Sequence, residues 1–388
     1  MNYILYDGNV RTALLPLTYT KPVAALRIGI LTIREKWEHY LKTTTSIHTE
    51  VYLEAKFPLV EKPENVRINA SFLPNKSLVD QVKNLSANQA IVYGEEIIAF
   101  YAAAKQPVDF DTYEKVHCEE DPLQIRHVYD LFSLNARVLK DDFALLTAGK
   151  SSQPIPEGVR CVNKEQIFIE EGAQVLFSTL NAADGPIYIG RDALVMEGAL
   201  IRGPFSLGER SLVKMGAKIY GATTVGPYSK VGGEINNSVI AGNSNKGHEG
   251  FLGNSVLGEW CNIGADSNNS NLKNNYSEVR LWHYGSEKFD KTGLQFCGLI
   301  MGDHSKCAIN TMFNTGTVVG VSANIYGSNF PRNFIPSFSW GGAAGFSTYQ
   351  LEKALETAEE VYNRRGLKLD AVEKNILKQV FEHSKKYR

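Results

Sequence analysis

From residue 189 onward an aliphatic side chain recurs at every sixth position. Ile189, Val195, Ile201, Leu207, Val213, Ile219, Val225 and Val231 hold one unbroken register. A small residue sits one or four places later, as in Gly190, Ala193, Ala199, Gly208, Ser211, Ala217, Thr223, Gly226 and Ser229. A period of six matches neither the 3.6 residues of a helix turn nor the two-residue alternation of a half-buried strand. It matches a β-solenoid, in which each short strand sends one aliphatic side chain into a central stack and the small residue fits the corner. The spacing returns with shifted phase at Leu257 and Ile263, and again at Met301, Cys307, Phe313, Val319 and Ile325. Such regularity disfavours the alternative, a Gly-rich β-sandwich. The register breaks over 242–250, which holds His248, and over 274–296, which holds the stretch LWHYGSEKF. A solenoid can eject a loop without disturbing its stack, so both breaks are expected to be loops that carry function.

The segments on either side differ. The first 150 residues read as mixed α/β. Strands are expected at 3–6, 51–53 and 65–72, two more within 90–101 around Gly94-Glu95, and helices at 31–41, 77–85 and 121–139. The turn-rich SSQPIP, 151–156, marks a boundary. Near the C-terminus, Ser347 and Gln350 have capping-box spacing before a helical face of Leu351, Leu355, Ala358 and Tyr362, and Gly366 is placed to end that helix. Asp370 and Glu373 repeat the box before a second helix, and both helices are expected to cap or assemble the solenoid. The expected domains are thus 1–155 (α/β), 156–340 (solenoid) and 341–388 (C-terminal helices).

Composition narrows the class. In 388 residues, 41 basic and 42 acidic side chains leave a formal charge of −1, which gives no support for nucleic-acid binding. MNYILYDGNV lacks the basic start and apolar core of a signal peptide, and no uncharged apolar run approaches the roughly 18 residues of a membrane span. Five scattered cysteines without CxxC spacing suit reduced thiols in a cytoplasmic protein. His283 and His304 have no partners at metal-ligand spacing, so no metal is assigned to them.

The hexads followed by GHEGFLGNSVLGEWCNIGADSNNSN resemble the acetyltransferase domain of the bacterial bifunctional enzymes that make UDP-N-acetylglucosamine. The whole chain is similar to an alternative form of that family found in Bacteroidetes, through GGEINNSVI, NKGHEGFLGNSVLGEWCNIGADSNNSNLKNNY and INTMFNTGTVVG. The resemblance implies a sugar nucleotidyltransferase-like α/β domain joined to a left-handed parallel β-helix of hexapeptide repeats, assembled as a homotrimer with active sites between subunits. It implies acetyl-CoA as co-substrate and glucosamine-1-phosphate as acceptor. His248 matches the family's catalytic histidine, a residue type whose ordinary pKa suits a general base. Glu234 matches a glutamate that polarises the histidine or contacts the sugar, and Phe251 falls where the family has a substrate tyrosine. Asn262 and Asn271 match asparagines that bond the sugar or line the acetyl-CoA site, and Ala265 matches a backbone position at the acyl carrier. A family lysine that contacts the sugar phosphate falls on Asn236, and a serine near the coenzyme falls on Ile309 or Asn310. Lys214, Lys218 or Lys246 would then recognise the phosphate. Asn268, Asn269, Asn274 and Asn275 are expected to satisfy backbone at corners, and Trp260 and Trp282 to pack or line an interface.

In the N-terminal segment, ILYDGNVRTALLPLTYTKP resembles the end of a nucleotidyltransferase signature. Arg11 and Lys21 are its nucleotide-binding candidates, and Mg²⁺ is the metal such a domain uses. Only Gly8 remains of the expected glycines, which weakens a backbone phosphate cradle. Three functions follow: acetyl transfer to an amino-sugar phosphate combined with formation of UDP-N-acetylglucosamine or a related nucleotide sugar for the cell wall; acyl transfer to a different amino sugar; or an inactive N-terminal half kept as a binding or scaffold domain.

Overall fold

The hexad residues point inward. In the computed structural model, which describes residues 1–103 and 108–388, Leu207, Val213 and Val231 are fully buried, and the whole register from Ile189 to Val231 belongs to one core with Leu257, Met301, Phe313 and Ile325. Val195 pairs with Val213, and Val213 with Val231, so a full coil is 18 residues, or three hexads. The result is a parallel β-solenoid with three faces. The first face runs from Arg160–Val162 to Phe251–Gly253, the second from Ile167–Ile169 to Phe334–Ile335, and the third from Gln174–Val175 to Gly345–Thr348, where the last pair turns antiparallel. The small corner residues are explained by a hydroxyl ladder. Ser229 N–H donates to Ser211 Oγ, Ser244 N–H to Ser229 Oγ and Cys261 N–H to Ser244 Oγ, which satisfies buried backbone donors coil after coil.

One break in the register is not a loop. Between Val231 and Leu257 the stack continues through Ile235, Ile240, Lys246 and Leu252, in the pairings Ile219↔Ile235↔Leu252, Val225↔Ile240↔Leu257 and Val231↔Lys246. The coil is shortened at its corners, which shifts the phase, and a lysine occupies an inward position, which hides it. The expected ejection of 242–250 is therefore corrected. The stretch 274–296 does leave the coil. It holds an antiparallel hairpin, Arg280–His283 with Lys288–Lys291. Trp282 stacks on Phe334 at 4.2 Å, and Tyr284 meets Tyr387 edge-on at 5.2 Å, so the hairpin is pinned to the C-terminal end of the chain.

Two helices, Leu351–Asn363 and Ala371–His383, follow the solenoid. The Ser347 capping box does not form: Ser347 is paired with Trp340 in a strand, and Gln350 is the N-cap. Asp370 does cap, accepting from Glu373 N–H. Leu367 N–H donates to Tyr362 O and closes the first helix beside Gly366. Tyr362 stacks on Trp260 at 4.0 Å, and Arg365 lies over the same ring while donating to Tyr228 O and Asn243 O. The helix is thereby clasped to a row of solenoid corners.

The chain divides into two compact units, residues 1–14, 20–26 and 31–127, and residues 15–19, 27–30 and 128–388. In the first, β1 (Asn2–Tyr6), β2 (Ser46–His48), β3 (Glu64–Asn69), β4 (Gln89–Tyr93), β5 (Glu96–Ala103) and β6 (Glu114–His117) lie in the order β2-β1-β3-β5-β4-β6. β1 is parallel to β2 and β3, and β5 is antiparallel to β3 and β4. Two expectations fail here. Val51–Leu53 is a 3-10 turn rather than a strand, because Leu53 N–H closes onto Glu50 O. Residues 121–129 are not helical, because Leu73 N–H and Ile125 N–H bond Leu123 O and Ser71 O; the helices there are Asp130–Ser133 and Asn135–Thr147. Asn135 is fully buried and donates to Ala222 O, so these helices belong with the solenoid unit. Among the described residues no helix is long and apolar enough to cross a membrane.

Leu207 is fully buried and Leu200 is 53% exposed, although both lie in solenoid strands. Leu207→Ala is expected to cost about 2–5 kcal/mol in urea unfolding. Leu200→Ala should stay within about 0.5 kcal/mol.

Candidate functional site

His248 lies on the corner 247–250, between strands Asn245–Lys246 and Phe251–Gly253, and its side chain is exposed. The corner itself is tightly held. Gly233, at φ +69°, leaves no room for a Cβ, which would come within 2.6 Å of His248 O. Gly250, at φ +114°, likewise faces Ser267 O. Asp266 N–H donates to Glu249 O from the following coil. An exposed imidazole on a rigid turn is what a general base needs, since its reach is fixed without being blocked.

Lys246 is the unexpected part of this corner. It is 2% exposed, and its Nζ donates to His248 O at 2.6 Å and to Gly232 O at 3.0 Å. Burial pulls its pKa down from the ordinary 10.5 to about 8, against the opposing pull of Glu249, Asp266 and Cys307. A phosphate-contacting role for Lys246 is corrected on this geometry: the ammonium is spent inside the solenoid on the carbonyls that form the corner.

On the first face, Lys218, Glu234 and Phe251 are in register on successive strands, as are Tyr220, Asn236 and Gly253. Glu234 is bonded by the Tyr220 hydroxyl at 2.5 Å. Among the described residues no hydrogen bond joins Glu234 to the imidazole. Lys218 pairs with Glu249 at 3.6 Å. The Phe251 ring lies over Gly253, where Asn271 Nδ2 also converges, and Asn271 donates to Asn254 Oδ1 at 2.8 Å. Asn268 and Asn269 accept from the N–H groups of Phe251 and Gly253, the backbone-satisfying role expected of them.

The remaining solenoid candidates separate. Ala265 O accepts from Asn310 N–H at 2.8 Å, so these two share the row of corners that carries His248. Lys214 is on that row too, two coils earlier, with Lys214 N–H on Val231 O and Gly232 N–H on Lys246 O. Asn262 is on the third face, paired with Asn245 and Lys306. Tyr220 and Glu249 were missed from the sequence. Tyr220 stands one residue after an inward hexad position, which was its only signal.

In the first unit, the parallel strands β1, β2 and β3 end together, the usual place for a ligand crevice in such a sheet. Asp7, directly after β1, is buried there. Its carboxylate accepts from Val23 N–H at 2.7 Å, Thr49 Oγ1 at 2.5 Å and Arg11 Nη1 at 3.2 Å. Burial pushes the Asp7 carboxyl up, while Arg11, Thr49 and Val23 pull it down. Arg11 also donates to Lys21 O and to the Tyr52 hydroxyl, so both nucleotide-binding candidates are brought together, with Lys21 buried. Asp7 was overlooked in the sequence, where it reads as a turn residue in a DG pair. Its oxygens already hold three donors, and among the described residues there is no group of three or more His, Cys, Asp or Glu side chains placed to hold a metal ion.

Residues 3–151 match the sugar nucleotidyl transferase family. A curated relative, the bifunctional protein GlmU of Methanocaldococcus jannaschii, is 31% identical over 87 residues, which is 22% of this chain and 21% of that protein. The chain thus spans about a fifth of that relative's length in the match. A solved UDP-N-acetylglucosamine acyltransferase from Arabidopsis aligns with 53% of this chain and 77% of its own at 15% identity, with a TM-score of 0.26. The family match extends over residues 3–151 and supports a sugar nucleotidyl transferase-like first segment.

The buried lysine generates a pH signature. Folded Lys246 loses its proton near pH 8 and the unfolded residue near 10.5, so between these values the unfolded chain binds more protons and stability rises with pH. Below about pH 8 the cost of the buried charge is fully present. Melting temperatures of wild type and Lys246→Met, followed from pH 7 to 11, should show the wild type gaining on the variant across that window; a constant difference would contradict the assignment.

Proposed function

We propose that the solenoid unit is an N-acetyltransferase that moves an acetyl group from acetyl-CoA to the amine of an amino sugar, glucosamine-1-phosphate being the acceptor the resemblance implies. The observation that carries this reading is the exposed His248 on a rigid corner beside the polar, aromatic-bearing first face of Glu234, Asn236, Phe251 and Asn271. His248 takes a proton from the acceptor ammonium. The free amine attacks the thioester carbonyl, its nitrogen sheds a second proton to solvent, the tetrahedral oxyanion collapses, and CoA leaves as a thiolate that is protonated by the imidazolium. Glu234, held by Tyr220, is placed to accept from sugar hydroxyls rather than to polarise the histidine. Ala265 and Asn310, on the same row of corners, are the residues proposed to line the acyl donor, with Asn271 beside Phe251; Asn262 and Lys214 are proposed substrate contacts farther out. Family resemblance supports a cytoplasmic homotrimer.

For the first unit we propose a sugar-1-phosphate nucleotidyltransferase fold with Arg11 and Lys21 at its anion site. A sugar phosphate oxygen would attack the α-phosphorus of UTP and release pyrophosphate. Asp7 favours the second reading, in which this half binds without turning over. Its carboxylate holds the Arg11 guanidinium and the Val23 N–H that a phosphate would otherwise take. An incoming phosphate must displace it against like-charge repulsion.

Two outcomes are expected. His248→Ala should lower CoA release by about 10²-fold or more while leaving the melting temperature unchanged, and wild-type-like turnover would remove the base assignment. Asp7→Asn should tighten UTP binding in isothermal titration; loss of UTP binding would instead make Asp7 part of the nucleotide site.

A further inference from the structure

Lys246 interrupts a column that is apolar on either side of it. On the third face the inward positions run Val195, Val213, Val231, Lys246 and then Ile263. An ammonium at such a position is costly unless it is bonded, and an aliphatic side chain would fill the stack without that cost. The partners of the ammonium show what the position gains. Nζ donates to Gly232 O at 3.0 Å in the coil before, and to His248 O at 2.6 Å in its own coil. Lys246 is 2% exposed within the chain itself, so a second copy packed on the outer faces leaves both bonds as they are.

The row of corners explains why a bond is needed there. Along this row a corner N–H donates to a carbonyl of the corner before it. Gly198 donates to Phe177 O, Gly216 to Glu197 O, Asp266 to Glu249 O and Asn310 to Ala265 O. Among the described residues no such backbone bond runs from the 247–250 corner back to Gly232-Gly233. The strands before and after leave two residues for the earlier corner, 232–233, and four for the later one, 247–250. Corners of unequal length bring their N–H and C=O groups out of step, and the rung between them is lost. Lys246 Nζ spans that gap by bonding a carbonyl of each corner. The longer corner lifts the imidazole clear of the stack, and the interior ammonium holds the lifted backbone from below.

We propose that Lys246 is a positioning residue for acyl transfer: an interior strut that replaces the missing rung and fixes the His248 backbone, so that the imidazole meets the acceptor amine in one place. It touches neither substrate and acts only through His248. A base displaced by about 1 Å can lose up to 10²-fold in rate, which is the effect such a strut prevents. This rests on the reading of His248 as the base and adds to it the residue that holds the base.

The test is Lys246→Met in the full chain, since methionine fills the slot at similar length without a donor. The variant should fold, with a melting temperature at pH 7 within about 5 °C of the wild type. Its kcat for CoA release should fall by about tenfold or more, while KM for acetyl-CoA and for glucosamine-1-phosphate stays within about twofold. Amide hydrogen exchange without substrates should quicken at Glu234 and Asp266, whose N–H groups donate to Gly250 O and Glu249 O, and stay as in the wild type at Gly216 and Asn310. A folded variant with wild-type kcat would overturn the proposal, as would a loss carried by KM or unchanged exchange at Glu234 and Asp266. A chain that no longer folds would make Lys246 a structural residue and overturn it equally. The base reading fails separately, as CoA release that persists in His248→Ala; the strut is then judged by exchange alone.

Discussion

The solenoid depends on one constraint: every coil must fill its three inward positions and leave no backbone donor unsatisfied. Leu207, Val213 and Val231 fill theirs with aliphatic volume, and Ser211, Ser229 and Ser244 satisfy the corner N–H groups. Because the strands pair in register, each corner residue is fixed relative to the one above and below it. His248, Ala265, Asn310 and Lys214 fall on one row for that reason, although their sequence spacing is irregular.

Lys246 is where this constraint and the site meet. An ammonium in the stack is costly unless it is fully bonded, and its hydrogen-bond partners are the carbonyls of Gly232 and His248. The same two bonds that make the charge tolerable hold the turn that carries the imidazole. Charge is treated differently in the first unit. There Asp7 and Arg11 neutralise each other at the ends of the parallel strands, so the loop is ordered by an internal ion pair where a nucleotide-binding loop leaves its donors open.

The solenoid was legible because its signal is one side chain in six, repeated without regard to what the other five do. The same rule failed where the inward residue is polar. Lys246 and the shortened coil around it look like a break in an aliphatic register, and the stretch was expected to be a loop for that reason. Ser347 shows a different failure. Its spacing to Gln350 satisfies a capping box, but pairing with Trp340 takes it into a strand before the helix begins. Val51–Leu53 is too short for β propensity to outweigh the local bond from Leu53 to Glu50.

The sequence by itself determined the repeat and the existence of a separate α/β segment, because periodic burial is written in residue types. It also made His248, Phe251 and Asn271 candidates, through stretches that resemble a known family. Only the tertiary structure decided which charges are available. Lys218 meets Glu249, Tyr220 meets Glu234, Lys246 turns inward and Asp7 closes on Arg11. The first two of these pairings join residues on different turns or strands, and Lys246 also reaches Gly232 O on the preceding coil. A residue's type states the charge it carries, but what neutralises that charge depends on which neighbour the fold brings within hydrogen-bond reach.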